Sequence, residues 1–242
     1  MILNTVFKNV SAAAMICTIG LSGVVHADEF QSDNSIVFAG IESRESANFA
    51  YVGLIHYFNG DISSDGFIVR ALASRANYDY KTVLDEDIDG SADSYELLLG
   101  YQKIFDRFSA RGYIGLDHEN HDLSPDNALD ENRGADNGVK VQAEFESDFA
   151  SPNYGSLVTS YSTAKERYWA RLRGGREFSG VVLGAEAVSL GDKEYAERRL
   201  GLFLSTRNLI PVAVSAAVGH ADPDTYRGPS GPYFTLEVSR TF

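Results

Sequence analysis

Outside the first thirty residues the sequence offers four histidines as general bases: His56, His118, His121 and His220. A serine hydrolase needs a nucleophile, such a base and an orienting acid or amide. No G-x-S-x-G stretch frames a serine in this chain. His118-Glu-Asn-His121-Asp122 sets two imidazoles three residues apart beside Asp117. That supplies two local ligands where a catalytic zinc site takes three protein ligands. The stretch is expected to sit at a strand-to-loop junction as a solvated segment. DEDIDGSAD (residues 85–93) is acidic but lacks the twelve-residue calcium-loop pattern. No catalytic residue, metal ligand or cofactor is assigned.

The remaining chemistry lies in charged groups at alternate positions. Arg70, Glu96, Arg111, Asp117, Lys140, Glu144, Glu146, Arg171, Arg173, Glu177, Glu186, Glu197, Arg199 and Glu237 fall on the parity opposite the mostly apolar one of their segments. In extended chain they share one face, opposite the apolar one. Both signs occur in comparable numbers, so charges removed from water must pair or stay hydrated. Two readings follow: an ion-paired network that stiffens the interior, or a polar conduit for sugars or other polar solutes. A channel for acidic substrates calls for a ladder of one sign, which is absent. Tyr113, Tyr161, Trp169 and Phe203 fall on the same parity and could stack on sugar rings. Tyr51, Tyr57, Phe67, Tyr95, Tyr101, Phe108, Phe145, Tyr168 and Phe234 are assigned to the outer face or the strand ends. The candidate substrate contacts are therefore the inward charges, Glu177 excepted, together with Tyr113 and Trp169.

About twelve alternating segments position these residues, near 35–43, 48–58, 66–76, 93–105, 107–119, 137–147, 154–163, 167–177, 180–190, 196–206, 211–220 and 232–242. Helical periodicity is almost absent, and turn residues fill every gap. VKVQAEFE (139–146) shows the pattern: Val139, Val141, Ala143 and Phe145 face one way, Lys140, Gln142, Glu144 and Glu146 the other. The connections alternate in length. Those after the even strands are short to moderate. Three of those after the odd strands are long and acidic, around residues 81–92, 122–136 and 221–231. Short turns at one end and long loops at the other suit an outer-membrane barrel. A secreted sandwich accounts for the alternation but less well for the loop asymmetry. The expected fold is all-β: an antiparallel up-and-down transmembrane β-barrel of about 12 strands.

The ends point the same way. Residues 1–27 have a weakly basic start, an apolar centre and a Val25-His26-Ala27 cut site, as in a secretory signal peptide. The expectation is cleavage after Ala27, leaving residues 28–242 as one barrel domain. Cys17 is the only cysteine and lies in that leader, so the remainder has no disulfide. The net charge of −13 argues against nucleic acid as a partner. The last strand ends on Phe242, with Phe234, Leu236 and Val238 on its parity, as expected of a strand that closes a barrel against lipid.

The stretches DGFIVRALASRANYDY (65–80), YIGLDHENHDLSPDN (113–127), RGADNGVKVQAEFES (133–147) and ERRLGLFLSTRNLIPVAVSAAVGH (197–220) resemble the cellulose biosynthesis protein BcsS family. The resemblance spans most of the chain beyond the leader. It implies an exported protein associated with cellulose synthase components, and it carries no active-site residues. The expected function is an outer-membrane barrel in cellulose or exopolysaccharide biosynthesis or secretion, as conduit or assembly factor. Its partners would be outer-membrane lipid, cellulose or another polysaccharide, and the cellulose synthase machinery. The alternatives are a small-solute channel or structural barrel, and a barrel enzyme acting on lipid or glycan.

Overall fold

Alternation of side chains along nearly every segment leaves the backbone one economical solution, a sheet in which each strand pairs with both neighbours. The computed structural model describes residues 33–82, 85–126, 129–147, 152–206, 212–224 and 228–242. The leader and its cut site lie outside the described residues, as do parts of the three long loops. The strands are β1 (Ser35–Arg44), β2 (Ala47–Tyr57), β3 (Gly66–Lys81), β4 (Asp87–Ile104), β5 (Phe108–Ser124) and β6 (Gly134–Ser147). They continue as β7 (Asn153–Ser162), β8 (Tyr168–Phe178), β9 (Val181–Gly191), β10 (Ala196–Thr206), β11 (Val212–Pro223) and β12 (Gly231–Thr241). Each pairs antiparallel with its sequence neighbours, and β1 pairs with β12 to close the barrel. At the seam, Asn34 N–H donates to the Phe242 carbonyl at 2.7 Å and Phe242 N–H to the Ser35 carbonyl at 2.9 Å. Closure leaves no open sheet edge, the condition for a sheet to cross a bilayer. No helix among the described residues is long and apolar enough to cross a membrane.

The barrel is inverted relative to a water-soluble protein. Leu200 is 70% exposed and Leu116 69%, whereas Glu197 is fully buried and Arg173 only 5% exposed. Leu97, Leu99, Val141, Leu172, Leu183, Leu202 and Val218 extend the exposed apolar belt. Apolar surface on this scale marks contact with something other than water, and a closed barrel presents it to lipid. Near one end the belt carries Phe67 packed on Tyr101 and Phe105 packed on Phe108, in the manner of an interfacial aromatic girdle.

Two connections at that end, here called the turn end, are brief: residues 105–107 and 179–180. The opposite, loop end is uneven. β3, β4, β5 and β6 have 16, 18, 17 and 14 residues, while β7 has 10 and β8 11. At about 3.3 Å per residue, the difference raises one wall well past the opposite rim. The sequence reading placed residues 77–92 and the start of 121–136 in loops. Instead the hairpins continue: Tyr78↔Gly90 and Tyr80↔Ile88 pair on the inner face, and Asn77↔Ser91, Asp79↔Asp89 and Lys81↔Asp87 pair on the outer face. Asp and Gly read as turn formers there, but alternation with Tyr78, Tyr80 and Ile88 keeps the strands going.

Candidate functional site

The lumen is the candidate site, and the strand register decides what enters it. Arg70, Glu96, Arg111, Tyr113, Asp117, Lys140, Glu144 and Glu146 lie on the inner face of the β3–β6 wall. Trp169, Arg171, Arg173, Glu177, Glu186, Glu197, Arg199 and Glu237 lie on the inner face of β8, β9, β10 and β12. The residues chosen from the sequence for substrate contact thus share one interior.

On the β3–β6 wall the charges form a ladder. Glu96 pairs with both Arg70 and Lys140. Arg167 bonds Asp117 at 3.0 Å and Glu119 at 2.9 Å. Arg111 donates to Glu144 at 2.8 Å and to Gln102 at 2.9 Å. Reversing Arg111 to Glu or Glu144 to Arg is expected to cost about 3 kcal/mol each, because a mostly buried charge loses its partner. The double reversal restores opposite signs, so it should cost at least about 1 kcal/mol less than the sum of the single changes. Denaturant unfolding of the four proteins in lipid vesicles checks this, and strict additivity would rule out a shared pair.

On the other wall the charges reach across. Arg199 pairs with Glu197 and, at 2.5 Å, with Glu42; Arg44 approaches Glu197 at 3.3 Å. Arg173 donates to Glu186 at 2.7 Å, and Tyr233 donates to the same carboxylate at 2.7 Å. Glu237 is the hub. Its Oε1 accepts from Tyr51 at 2.7 Å and from Arg171 at 2.8 Å, and its Oε2 lies 3.0 Å from Arg173. The Arg171 guanidinium in turn lies 5.3 Å from the Trp169 ring centre. β2 and β8 are six strands apart in a ring of twelve. Tyr51, Glu237, Arg171 and Trp169 therefore form a bridge across the full lumen. Gly40 makes the bridge possible: a Cβ there would sit 2.5 Å from the Tyr51 ring and hydroxyl.

Several assignments made from the sequence change here. Tyr51 and Tyr57 point inward: Tyr51 opposes Gly40, and Tyr57 is 1% exposed in an interior apolar cluster with Ile55, Ile68, Leu98 and Tyr113. On β2 both parities are apolar, so alternation could not choose between them. Tyr161 points outward, paired with Tyr168 and Val141 and 45% exposed. Tyr113 and Phe203 face inward but are buried, 5% and 3% exposed, Phe203 beneath the Arg173 guanidinium. Of the four proposed stacking residues, Trp169 borders the open space. Sequence reasoning missed Glu42, Arg44, Glu119 and Arg167. Glu42 and Arg44 share the parity of Gly40 in AGIESR, and that alternation was readable.

A cavity of about 1230 Å³ runs along the axis. Its lining reaches Ser205, Thr206 and Thr241 near the turn end and Tyr80, Asn132, Asp192 and Tyr195 near the loop end. The loop end is partly roofed. Tyr80 on β3 donates to Asp130 at 2.5 Å, and Asn132 donates to Asp192 at 2.7 Å in the β9–β10 turn. The β5–β6 loop thus straps one side of the mouth to the other. Burial in this roof holds the Asp192 carboxyl above the ordinary carboxylate range. At the turn end, by contrast, the N–H of Ile104 and the Lys103 ammonium hold the exposed Asp65 below it.

The hydrolase and metal readings can be tested on geometry. Ser35 Oγ lies 3.0 Å from His56 Nδ1 and also bonds Asn34 Oδ1 at 2.9 Å. Asn34 therefore orients the serine, and among the described residues no carboxylate or amide orients the imidazole, as a triad requires. His118 and His121 lie within β5, not in a solvated loop, and point to opposite faces. His121 is buried between Tyr78 at 2.7 Å and Glu119 at 2.8 Å, while His118 bonds Asn137 at 2.8 Å on the outer face. A spacing of three on a strand separates the rings.

The profile of the family described as "Cellulose biosynthesis protein BcsS" matches residues 36–242, the whole of the barrel from the first strand onward. The chain belongs to the BcsS family. No curated protein sequence matches it. Among solved structures, this BcsS-family barrel is similar to an outer membrane channel from Pseudomonas putida F1. The TM-score is 0.58 at 15% identity, over 91% of this chain and 100% of that one. It is also similar to the TodX deltaS2S3 mutant monoaromatic hydrocarbon channel, with TM-score 0.51 and 7% identity over 86% of this chain and 90% of that one. For the KdgM porin in complex with disordered oligogalacturonate the values are TM-score 0.50 and 10% identity, over 86% and 99%. At these identities the likeness establishes a shared barrel fold.

Proposed function

We propose that this barrel resides in the outer membrane, with its loop end outside, and serves cellulose biosynthesis as a gated conduit for polar glycan segments. The axial cavity carries this reading, because its lining continues past the ion-paired middle to both ends. Twelve strands leave more interior than the eight whose side chains just fill a barrel. The paired charges suit a neutral, hydroxyl-rich solute: both signs offer hydrogen bonds and neither sign dominates the field. Membership of a cellulose biosynthesis family supports the biological setting. The KdgM porin, described with an oligogalacturonate, shows the same fold hosting a glycan. The turn end would face the cellulose synthase machinery, and the apolar belt would contact outer-membrane lipid. The leader accounts for export, with cleavage after Ala27. The Ser35–His56 geometry gives the hydrolase alternative no support.

The test is gene deletion in the source cell, with cellulose read by a cellulose-binding dye and the gene restored as a chain tagged after Glu131. Loss of dye binding, its recovery on complementation, and tag labelling on intact cells are expected. Unchanged cellulose would overturn the role, and a tag reached only in opened cells would overturn the orientation.

A further inference from the structure

Trp169 is the only tryptophan in the chain. It stands on the inner face of β8 beside Ser160 and Leu190. Among the described residues, no hydrogen bond engages its indole N–H or the Ser160 hydroxyl. Both residues border the cavity. Trp169 carries the Arg171 guanidinium 5.3 Å from its ring centre, while its indole N–H stays idle beside the open space, a donor left for a ligand.

The direction of the strands places it further. β8 runs from the loop end toward the turn end, so Trp169 precedes Arg171 on the loop side of the transluminal bridge. β2 runs the same way, so Phe49 stands on the loop side of Tyr51, with ring centres 5.7 Å apart. Phe49 and Trp169 thus face one chamber from opposite walls, and the Tyr51–Glu237–Arg171 bridge forms its floor. Arg44, Asp192 and Tyr195 supply polar groups near its mouth.

We propose that this chamber is a binding subsite for the end of a β-1,4-linked glucan. The chemistry fits such a ring. All its substituents are equatorial, so both faces present C–H groups suited to an aromatic plane, and its edge presents hydroxyls to the indole N–H and Ser160. An α-linked glucan coils and offers no continuous flat face. This subsite rests on the proposed role in cellulose biosynthesis, and it assigns Trp169 as the stacking platform and the bridge as the stop.

The single tryptophan makes the test direct. The full barrel is refolded in detergent, and its intrinsic fluorescence is followed as cellotetraose is added, with maltotetraose as the comparison. A saturable shift with cellotetraose and a much weaker response to maltotetraose are expected. Calorimetry on Trp169→Ala and on Trp169→Leu, which keeps bulk but removes the aromatic plane, should show affinity reduced about tenfold or more. Melting temperatures of both variants verify folding, and the leucine variant decides if alanine fails to fold. The subsite is refuted if fluorescence does not respond to cellotetraose, or if the folded leucine variant binds it as tightly as the parent. The two proposals separate cleanly. Cellulose loss on deletion together with no cellotetraose response sinks the subsite alone. Binding at Trp169 together with intact cellulose on deletion sinks the cellular role alone.

Discussion

Glu237→Ala is expected to destabilise the barrel by on the order of 3 kcal/mol and to raise its conductance. The carboxylate holds Tyr51, Arg171 and Arg173 together across the lumen. Removing it leaves Arg171 without its anionic partner, the costly way to break a buried pair. Arg173 keeps Glu186 at 2.7 Å, so the loss falls mainly on one arginine. Glu237→Gln retains an acceptor for Tyr51 but loses the charge, and about 1–2 kcal/mol is expected there. Denaturant unfolding in lipid vesicles ranks the three proteins. Planar-bilayer recording asks the second question, because opening the bridge removes the element that spans β2 to β8. A glutamine variant as unstable as alanine would show that charge is what matters. An alanine variant no more conductive than the parent would show that the lumen is narrowed elsewhere.

The interior was legible wherever the two faces of a strand differ sharply. On β6, Lys140, Gln142, Glu144 and Glu146 alternate with Val139, Val141, Ala143 and Phe145, and the register puts each set where the pattern implies. On β2, Ala50, Val52 and Leu54 oppose Phe49, Tyr51 and Ile55, and hydropathy is silent. Only pairing with β1, where Gly40 faces Tyr51, turns that strand the right way. The transluminal bridge was out of reach for a different reason. It depends on which strands stand opposite each other in a ring of twelve, a consequence of closure and strand number rather than of any local stretch.

Strand limits failed where composition and alternation disagreed. From 77 to 92 the Asp and Gly residues argued for a loop, yet Tyr78, Tyr80 and Ile88 keep a period of two, and the hairpin continues. The outer face of this extension is polar because it has left the apolar belt, and its inner face is buried because the β5–β6 strap lies against it. Burial of His121 follows from the same extension. A solvated loop would have left it open, whereas a strand turns it into the interior beside Glu119 and Tyr78.

Leu202→Arg is the second large effect and the one that most directly separates a membrane barrel from a soluble one. Leu202 is 67% exposed between Ala185 and Val218, inside the apolar belt. In water an arginine there would be indifferent, within about 0.5 kcal/mol, since surface changes away from special features cost little. In a bilayer the charge must be carried into hydrocarbon or drag water and headgroups to itself, at about 2–4 kcal/mol near the midplane and less toward the interfaces. The expected result is a loss in that range for protein folded into lipid vesicles. Asn77→Arg, on the outer face of the raised β3 wall, is expected to change stability by no more than about 0.5 kcal/mol in the same vesicles. Depth, not exposure, separates the two positions, so the contrast should vanish if the belt is not in lipid. Equal, negligible costs at both would mean that Leu97, Leu116, Leu200 and Leu202 face something other than a membrane, and the conduit reading would fall with them.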